Sequence, residues 1–327
     1  MLEFAVITAI KSLVVITVLL MACAWSTYLE RKLVAFFQTR IGPAVAGPYG
    51  LLQPIADMFK LLFKEDIVPG QAHKTIYLLA PLLAFIPAVI PIAVVPFGDT
   101  ITLFGREIDL VISDFNLGIL LVFAITSLGV YGLMMAGWAS NSKYSLLGGL
   151  RSAAQMISYE IGLGLSVIGV LLLGGTVSLV EIVEQQDSIL NWFVIRQPVG
   201  FLLYIVCAIA ETNRIPFDLP EAEAELVAGY HTEYSSMRFG LFFVGEYANM
   251  LTVSAIATTL FFGGWQGPFL PPIVWFCIKV FAFMFFYIWL RASLPRLRYD
   301  QLMKFGWYVI IPLALANILV TAAIALL

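Results

Sequence analysis

Runs of about twenty apolar residues recur along the whole chain of 327 residues, and they constrain its fold more than any other feature. A helix needs roughly 20 such residues to cross a hydrocarbon core about 30 Å thick. Asp, Glu, Lys and Arg make up only 12% of the chain, about half of the roughly 25% found in soluble domains. The sequence therefore predicts a polytopic membrane protein and excludes a soluble domain.

The apolar runs predict an all-α fold with about eight transmembrane helices, and residues 1–327 are expected to form a single membrane domain. The first run has no basic segment before it and no small-residue cleavage pattern after it, so it is expected to be a retained helix and not a signal peptide. The predicted spans are 5–28, 76–97, 115–138, 152–173, 197–215, 239–262, 273–291 and 307–327.

Basic residues are distributed unevenly between the loops on the two sides. Fourteen of the eighteen Lys and Arg residues fall in loops 1–2, 3–4, 5–6 and 7–8, whereas the opposite loops contain only Arg106 and Arg196. Because basic loops stay in the cytoplasm, both termini are expected to be non-cytoplasmic. The net charge is -3 and the cations form no block, so nothing indicates a nucleic-acid partner.

Two segments depart from plain membrane-crossing helices. Span two contains Pro81, Pro87, Pro91 and Pro96, which remove backbone donors and predict a bent or broken helix. Such helices commonly line cavities, although a bent packing helix with no cavity is an equal alternative. In loop 1–2, residues 51–64 place apolar side chains at helical spacing, which predicts an amphipathic surface helix that either rests on lipid headgroups or covers a cavity.

Carboxylates occur inside or at the edges of three consecutive spans, at Glu160, Glu211 and Glu246. Each costs several kcal/mol there unless it is neutral, paired or hydrated. Desolvation raises the pKa of an acid toward the range where it exchanges protons, so three such residues favour proton handling. The alternative is a protonated carboxyl group that hydrogen-bonds a neighbouring helix and serves only packing.

Loop 5–6 is the most acidic stretch of the chain. A helix over 220–228 would begin at a proline suited to its first turn and would bring two glutamates onto one face. A solvated acidic loop is one interpretation, but the flanking apolar residues favour a partly packed loop whose carboxylates share protons. The carboxylates are Asp218, Glu221, Glu223, Glu225 and Glu233.

Residues able to bind a metal are few and scattered. Cys23, Cys207 and Cys277 lie inside apolar runs without paired spacing, so they are interpreted as small buried hydrophobic residues. His73 and His231 are far apart, and no metal-binding motif joins them. No metal site is predicted.

Long ordered motifs in the loops predicted to be cytoplasmic resemble one family. The chain is similar, over nearly its whole length, to the quinone-site membrane subunit of respiratory complex I, which carries the letter H in bacteria and the number 1 in mitochondria. The motifs are Glu30-Arg31-Lys32, Gln38-Thr39-Arg40-Ile41-Gly42-Pro43, residues 47–57, 137–148 and 158–160, Pro216-Phe217-Asp218-Leu219-Pro220-Glu221-Ala222-Glu223, and Arg298-Tyr299-Asp300-Gln301.

The resemblance implies a membrane subunit of a proton-translocating NADH:quinone oxidoreductase in the bacterial cytoplasmic membrane. It implies that this chain alone binds no cofactor, that quinone is the substrate, and that NADH, FMN and Fe–S clusters belong to partner subunits. The implied partners are the Fe–S and quinone-site subunits of the peripheral arm, other membrane-arm subunits and the lipid bilayer. By position, the resemblance assigns quinone binding to Arg31, Arg40, Asp57 and Lys60. It assigns an acid path to Glu160, Glu211, Asp218, Glu221, Glu223, Glu225 and Glu246.

Two other functions stay open. Complexes with another electron donor, and membrane-bound hydrogenases, contain a homologous subunit. A free-standing ion channel or transporter belongs to a different class, in which intramembrane acids and broken helices also occur. Purification with Fe–S subunits, or without them, would separate a complex subunit from a free-standing transporter.

Overall fold

The computed structural model describes residues 2–103, 106–219 and 223–326, and the regular structure in these ranges is almost entirely helical. This confirms the predicted all-α membrane fold. The helices are α1 Leu2–Phe37, α2 Gln53–Phe63, α3 Lys74–Val89, α4 Gly118–Ala139, α5 Lys143–Gly174, α6 Leu179–Glu184, α7 Phe193–Arg196, α8 Pro198–Glu211, α9 Glu223–Leu226, α10 Ser236–Phe261, α11 Pro272–Ser293, α12 Tyr299–Phe305 and α13 Ile311–Ala325. The strands are β1 Thr100–Leu103 and β2 Arg106–Asp109.

Within the described ranges, seven helical segments are long and apolar enough to cross a membrane, and the eighth predicted span is shorter. That span, α8, has 14 residues and is about 21 Å long at 1.5 Å per residue. The segments long enough to cross begin within α1, α3, α4, α5, α10, α11 and α12, and the last one continues through α13.

Helix α8 ends at Glu211, four residues before the apolar run does, because the chain turns there. Asn213 has a positive φ of 51°, which an α-helix cannot continue through. The Gln155 amide of α5 donates 2.8 Å hydrogen bonds to the carbonyls of Ala210 and Phe217. A side chain from another helix thus satisfies the carbonyl groups at the turn.

Contacts along α8 show that it runs antiparallel to its neighbours. Gln197 lies beside Gly169 of α5 near the start of α8, and Ala210 lies beside Gln155 near its end. Against α10, Phe201 near the start of α8 packs on Phe261 at a ring distance of 5.3 Å, and further along, the Tyr204 hydroxyl donates to the Val253 carbonyl at 2.9 Å. The short helix therefore occupies the position that an alternating eight-helix order gives to span five.

Helix α3 is broken, as its prolines predict. Pro81 and Pro87 lie inside the α-helix, which changes at Ile90 into a 3₁₀ segment that ends at Val94. At Gly132, helix α4 approaches α3 so closely that a methyl group there would come within 2.4 Å of the Ala84 nitrogen. The bent helix is packed tightly against its neighbour.

The strand hairpin between α3 and α4 and the exposure of one cysteine were not expected. The hairpin pairs β1 with β2 in antiparallel register. Cys23 and Cys207 are buried as predicted, but Cys277 is exposed, so its assignment as a buried residue was wrong.

The predicted amphipathic segment forms α2, which lies against the beginning of α10. The Ser236 hydroxyl donates to the Leu61 carbonyl at 2.9 Å, and the Leu61 side chain lies beside Gly240. The rings of Phe59 and Phe63 stack on each other and are exposed. Helix α2 thus presents apolar side chains outward at one end of the bundle.

Candidate functional site

Asp57 on α2 organises the first group of predicted site residues. Its Oδ2 is 2.6 Å from Arg31 Nη1, and its Oδ1 accepts a 3.0 Å hydrogen bond from Gln53. Lys60 lies one turn further along α2, with its ammonium 3.9 Å from Oδ1. The structure thus brings together three of the four residues predicted to bind quinone, where α1 meets the surface helix.

Arg40 does not join this group. Its Nε donates a 2.8 Å hydrogen bond to Gln38, in the turn that follows α1. Lys32, in the last turns of α1, donates to the Pro43 carbonyl at 2.7 Å and thereby fixes the same turn. Arg40 and the Asp57 group consequently flank the end of α1 separately.

Glu30 is the centre of a second group, in which charged side chains from α1, α11 and the loop after α8 converge. The Glu30 carboxylate accepts hydrogen bonds of 3.1 and 3.2 Å from Arg214 and one of 2.6 Å from the Tyr247 hydroxyl. Arg291 also donates to it. We call Glu30, Arg214, Glu246, Tyr247 and Arg291 the Glu30 cluster.

Arg214 connects Glu30 to Glu246. Its Nη2 is 3.7 Å from Glu246 Oε2, and its guanidinium lies over the Tyr247 ring at 4.5 Å. The Tyr230 hydroxyl is 3.2 Å from the other Glu246 oxygen. Two carboxylates and two guanidinium groups meet here, so each charge of the Glu30 cluster has an opposite charge beside it, as buried ions require.

The sequence reasoning did not select Glu30, Arg291 or Tyr247. Glu30 and Arg291 each stand at the end of an apolar run. Glu30 was named only as part of the motif Glu30-Arg31-Lys32, and Arg291 was counted only among the basic residues that set the topology. Glu30 is nevertheless 5% exposed. A signal was available, because a charge in the last turn of a long membrane helix needs a partner when a neighbouring helix ends beside it.

Two of the three intramembrane acids, Glu211 and Glu246, share a cavity, and the third, Glu160, lies close enough to Glu211 to interact with it. Glu211 and Glu246 line the same cavity, which has a volume of about 50 Å³. Glu211, at the end of α8, also interacts electrostatically with Glu160 on α5. Glu246 interacts with Asp218 as well as with Arg214. An ordered series of acids therefore runs from Asp218 through the bundle to Glu160.

The other carboxylates of loop 5–6 do not all join that series. Glu225 forms a 2.7 Å ion pair with Arg151 of α5. The hydrogen bond from Arg151 holds the pKa of Glu225 below its usual value, with help from the charges of Arg151, Arg296 and Arg298 and against a smaller effect of burial. Glu225 is thus held ionised.

Two further residues of this loop were assigned to the acid path, Glu221 and Glu223. Glu221 lies outside the described residues, and only the backbone of Glu223 is described. Within the described part of the predicted helix over 220–228, the helical residues are those of α9, Glu223–Leu226. Because Arg151 holds Glu225 ionised, Glu225 is poorly suited to share a proton with the other carboxylates of loop 5–6.

His231, in the same loop, is buried among aromatic rings. It lies edge-on to Tyr230, Phe239 and Phe243, at ring distances between 4.9 and 6.0 Å. Burial lowers its pKa to about 4. The imidazole is therefore neutral at physiological pH and anchors the loop on α10 as an aromatic side chain.

These features define a class: a polytopic α-helical membrane protein with a paired charged cluster at one end and acids that continue into the bundle. The chain belongs to the family described as NADH dehydrogenase, whose sequence profile matches residues 10–322. This confirms the resemblance noted from the loop motifs.

The chain is similar to several proteins that are named as the H-type subunit of NADH-quinone oxidoreductase. One from Koribacter versatilis is 54% identical over 98% of this chain and 97% of its own length. One from Geobacter metallireducens is 53% identical over 100% of this chain and 98% of the relative. One from Thermomicrobium roseum is 52% identical, with coverage of 98% and 96%. The similarity thus extends over essentially the full length of both chains.

Proposed function

We propose that this chain is the H-type membrane subunit of a proton-translocating NADH-quinone oxidoreductase in a bacterial cytoplasmic membrane. The full-length similarity to proteins of that name supports the assignment. Residues 1–327 act as one membrane domain with both termini outside the cytoplasm. Quinone is the substrate, and NADH, FMN and Fe–S clusters reside in partner subunits of the peripheral arm, while other membrane-arm subunits contact the bundle.

The observation that carries the coupling function is the continuity between the Glu30 cluster and the acids inside the bundle. Arg214 contacts both Glu30 and Glu246, and Glu246 lines the same cavity as Glu211. A change of charge near Glu30 alters the field at Arg214. Two charges about 4 Å apart interact by roughly 4 kcal/mol at an effective dielectric near 20, enough to shift a neighbouring proton equilibrium by several pKa units.

The quinone site is assigned to the Asp57 group at the end of α1. Arg31 and Lys60 supply donors and positive charge for the quinone oxygens, which gain electron density on reduction. The exposed Phe59 and Phe63 of α2 supply an apolar surface for the isoprenoid tail. Arg40 contributes positive charge at the adjoining turn.

Replacement of Glu211 by Gln tests the acid path, because Gln keeps the shape and hydrogen-bonding capacity but does not titrate. In vesicles with the assembled enzyme, we expect Glu211→Gln to lower both quinone-dependent turnover and proton pumping. NADH oxidation with an artificial acceptor, which uses the peripheral arm alone, should persist. Glu184→Gln, at an exposed glutamate of α6, is the matched control. Unchanged turnover and pumping in Glu211→Gln would remove Glu211 from the path.

Replacement of Asp57 by Asn tests the quinone assignment separately. The Arg31 and Lys60 charges then lose their carboxylate partner, and we expect the KM for quinone to rise while the artificial-acceptor activity stays normal. If both activities disappear together, Asp57 serves assembly and the quinone assignment fails for this residue.

A further inference from the structure

The cavity between Glu211 and Glu246 has walls from α3, α4, α5, α8 and α10. Its volume is about 50 Å³, whereas one water needs about 10–15 Å³ of such space. A small group of waters therefore fits between the two acids. The lining residues that matter here are Pro87, Gly129, Glu211, Glu246 and Asn249.

Two acceptor atoms of the wall need donors. In the part of the chain that the structure describes, neither Glu211 Oε2 nor Asn249 Oδ1 has a hydrogen-bond partner, although both atoms are buried. A buried acceptor without a donor is costly, and a water that donates to it removes the cost. Both side chains line the cavity, so waters held there have a carboxylate oxygen and an amide oxygen in the wall to which they can donate.

Asn249 lies one turn after Glu246 on α10. Residues three apart on a helix share a face, so the Asn249 amide and the Glu246 carboxyl group border the same space. The Asn249 amide carries both an acceptor and donors, which allows it to orient a water whatever the direction of its hydrogens. It does not titrate, and thus it can position a water without taking its proton.

From this geometry we infer that Asn249 is a positioning residue, which holds waters in the cavity in a hydrogen-bonded line between Glu246 and Glu211. One proton leaves the Glu246 carboxyl group for the nearest water, each water passes a different proton onward, and the last water protonates the Glu211 carboxylate. No bond other than O–H bonds changes, and the waters are regenerated when their hydrogens reorient. The inference rests on the proposed acid path.

Gly129 provides a test that removes no polar group. A methyl group there would meet only the Pro87 Cβ, at 3.9 Å, and would take space at the cavity wall. We expect Gly129→Ala to lower quinone-dependent turnover and pumping about tenfold, which is the rate equivalent of one lost hydrogen bond in the transition state. Gly164→Ala is the control, because a methyl group on Gly164 meets no atom within 4 Å.

Substitution of Asn249 tests the positioning role directly. Asn249→Leu keeps the approximate volume and removes the amide, so turnover should fall about tenfold and the solvent deuterium isotope effect on turnover should rise. Asn249→Ser retains a hydroxyl that can hold water and should restore part of the rate. Thr252→Val is the control on the same helix, because the Thr252 hydroxyl is 3.4 Å from the Ala88 carbonyl and lies outside the cavity lining.

The artificial-acceptor activity must stay normal in every variant, which reports an intact peripheral arm. The inference is overturned if Gly129→Ala and Asn249→Leu both pump like their controls while Glu211→Gln does not. If Glu211→Gln itself pumps normally, the proposed acid path is rejected, and the inference that rests on it is rejected with it. Should Asn249→Leu fail to assemble, Gly129→Ala decides alone: normal pumping overturns the inference, and slow pumping with an increased isotope effect supports it.

Discussion

Glu30 illustrates, at the scale of single residues, how a buried charge depends on its partners. Its side chain is 7% exposed and that of Arg214 is 9% exposed, whereas that of Arg291 is 39% exposed. The inner pair with Arg214 therefore carries most of the interaction. Glu246, 3.7 Å from the same guanidinium, compensates only in part if Glu30 is neutralised.

We expect Glu30→Gln to lower the free energy of unfolding by about 3 kcal/mol, the usual cost of breaking a buried ion pair from one side. Gln can still accept the hydrogen bond from the Tyr247 hydroxyl. The loss of stability therefore measures the removal of the Glu30 charge and not a change of side-chain shape. Thermal unfolding of the purified complex measures it, with Glu184→Gln as control. Equal midpoints for the two variants would contradict the expected role of Glu30.

His231 makes the docking of loop 5–6 dependent on pH. Its pKa in the folded chain is about 4 because of burial, whereas an exposed histidine has a value near 6.5. Below about pH 6.5 the unfolded loop binds a proton that the folded loop excludes, so stability falls as the pH decreases from about 6.5 to 4. The largest possible loss over this window is about 3 kcal/mol.

Amide hydrogen exchange of residues 229–235 in the assembled complex, at pH 7.5 and 5.5, measures this effect. After correction for the slower intrinsic amide exchange at acidic pH, we expect less protection at pH 5.5 than at pH 7.5 in the native chain, and a smaller difference in His231→Asn. His73→Gln, at an exposed histidine, should behave as the native chain does. A pH effect that is the same in both variants would exclude His231 as its origin.

At the scale of helices, the apolar periodicity predicts where most elements lie because burial in lipid acts on each segment separately. The end of α8 was placed four residues too late, since it depends on the Gln155 amide, 55 residues earlier in the chain. The Glu30 cluster was missed for a similar reason: Glu30 and Arg214 are 184 positions apart. Local patterns contain no information about such pairings, although they did single out Glu160, Glu211 and Glu246 as acids inside or at the edges of apolar runs.

Lys279 shows how one side chain completes a helix end. Its ammonium donates to the carbonyls of Phe262, Gly264 and Gln266 at 2.6, 3.0 and 2.6 Å, just after α10. It also lies over the Trp192 ring at 4.6 Å. A cation at the C-terminal end of a helix opposes the partial negative charge of the last carbonyl groups.

We expect Lys279→Met to destabilise the protein by about 3 kcal/mol, because buried carbonyl groups lose their donor while the volume is conserved. Lys11 is the matched control, since it also lies in an apolar run but makes one hydrogen bond of 3.4 Å, to Val111. Thermal unfolding monitored by tryptophan fluorescence distinguishes the two. A loss in Lys11→Met as large as that in Lys279→Met would show that any buried lysine matters equally.

The side on which each loop of the whole molecule lies depends on the short helix α8. The last span, Tyr299–Ala325, which includes α13, runs parallel to α5, since Gly306 lies beside Tyr159 and Asn317 beside Gly169. Helix α8 runs antiparallel to α5. If α8 crosses the membrane with the turns that flank it, the chain crosses eight times and its termini share one side. If α8 does not cross, only α10 and α11 cross between α5 and α13, and α13 would then have to run antiparallel to α5. Its parallel direction would require one more crossing segment, and the described residues contain no other segment of sufficient length.

Reporter fusions decide between these topologies. Fourteen of the eighteen cations fall in loops on one side, so we expect N- and C-terminal fusions to a reporter active only outside the cytoplasm to be active, and fusions within loops 1–2 and 5–6 to be inactive. A fusion in the turn between α7 and α8, near Arg196, should be active as well. An inactive C-terminal fusion beside an active N-terminal one would remove one crossing. It would also transfer the loops after that crossing, including the one with Arg291 and Arg298, to the opposite side of the membrane.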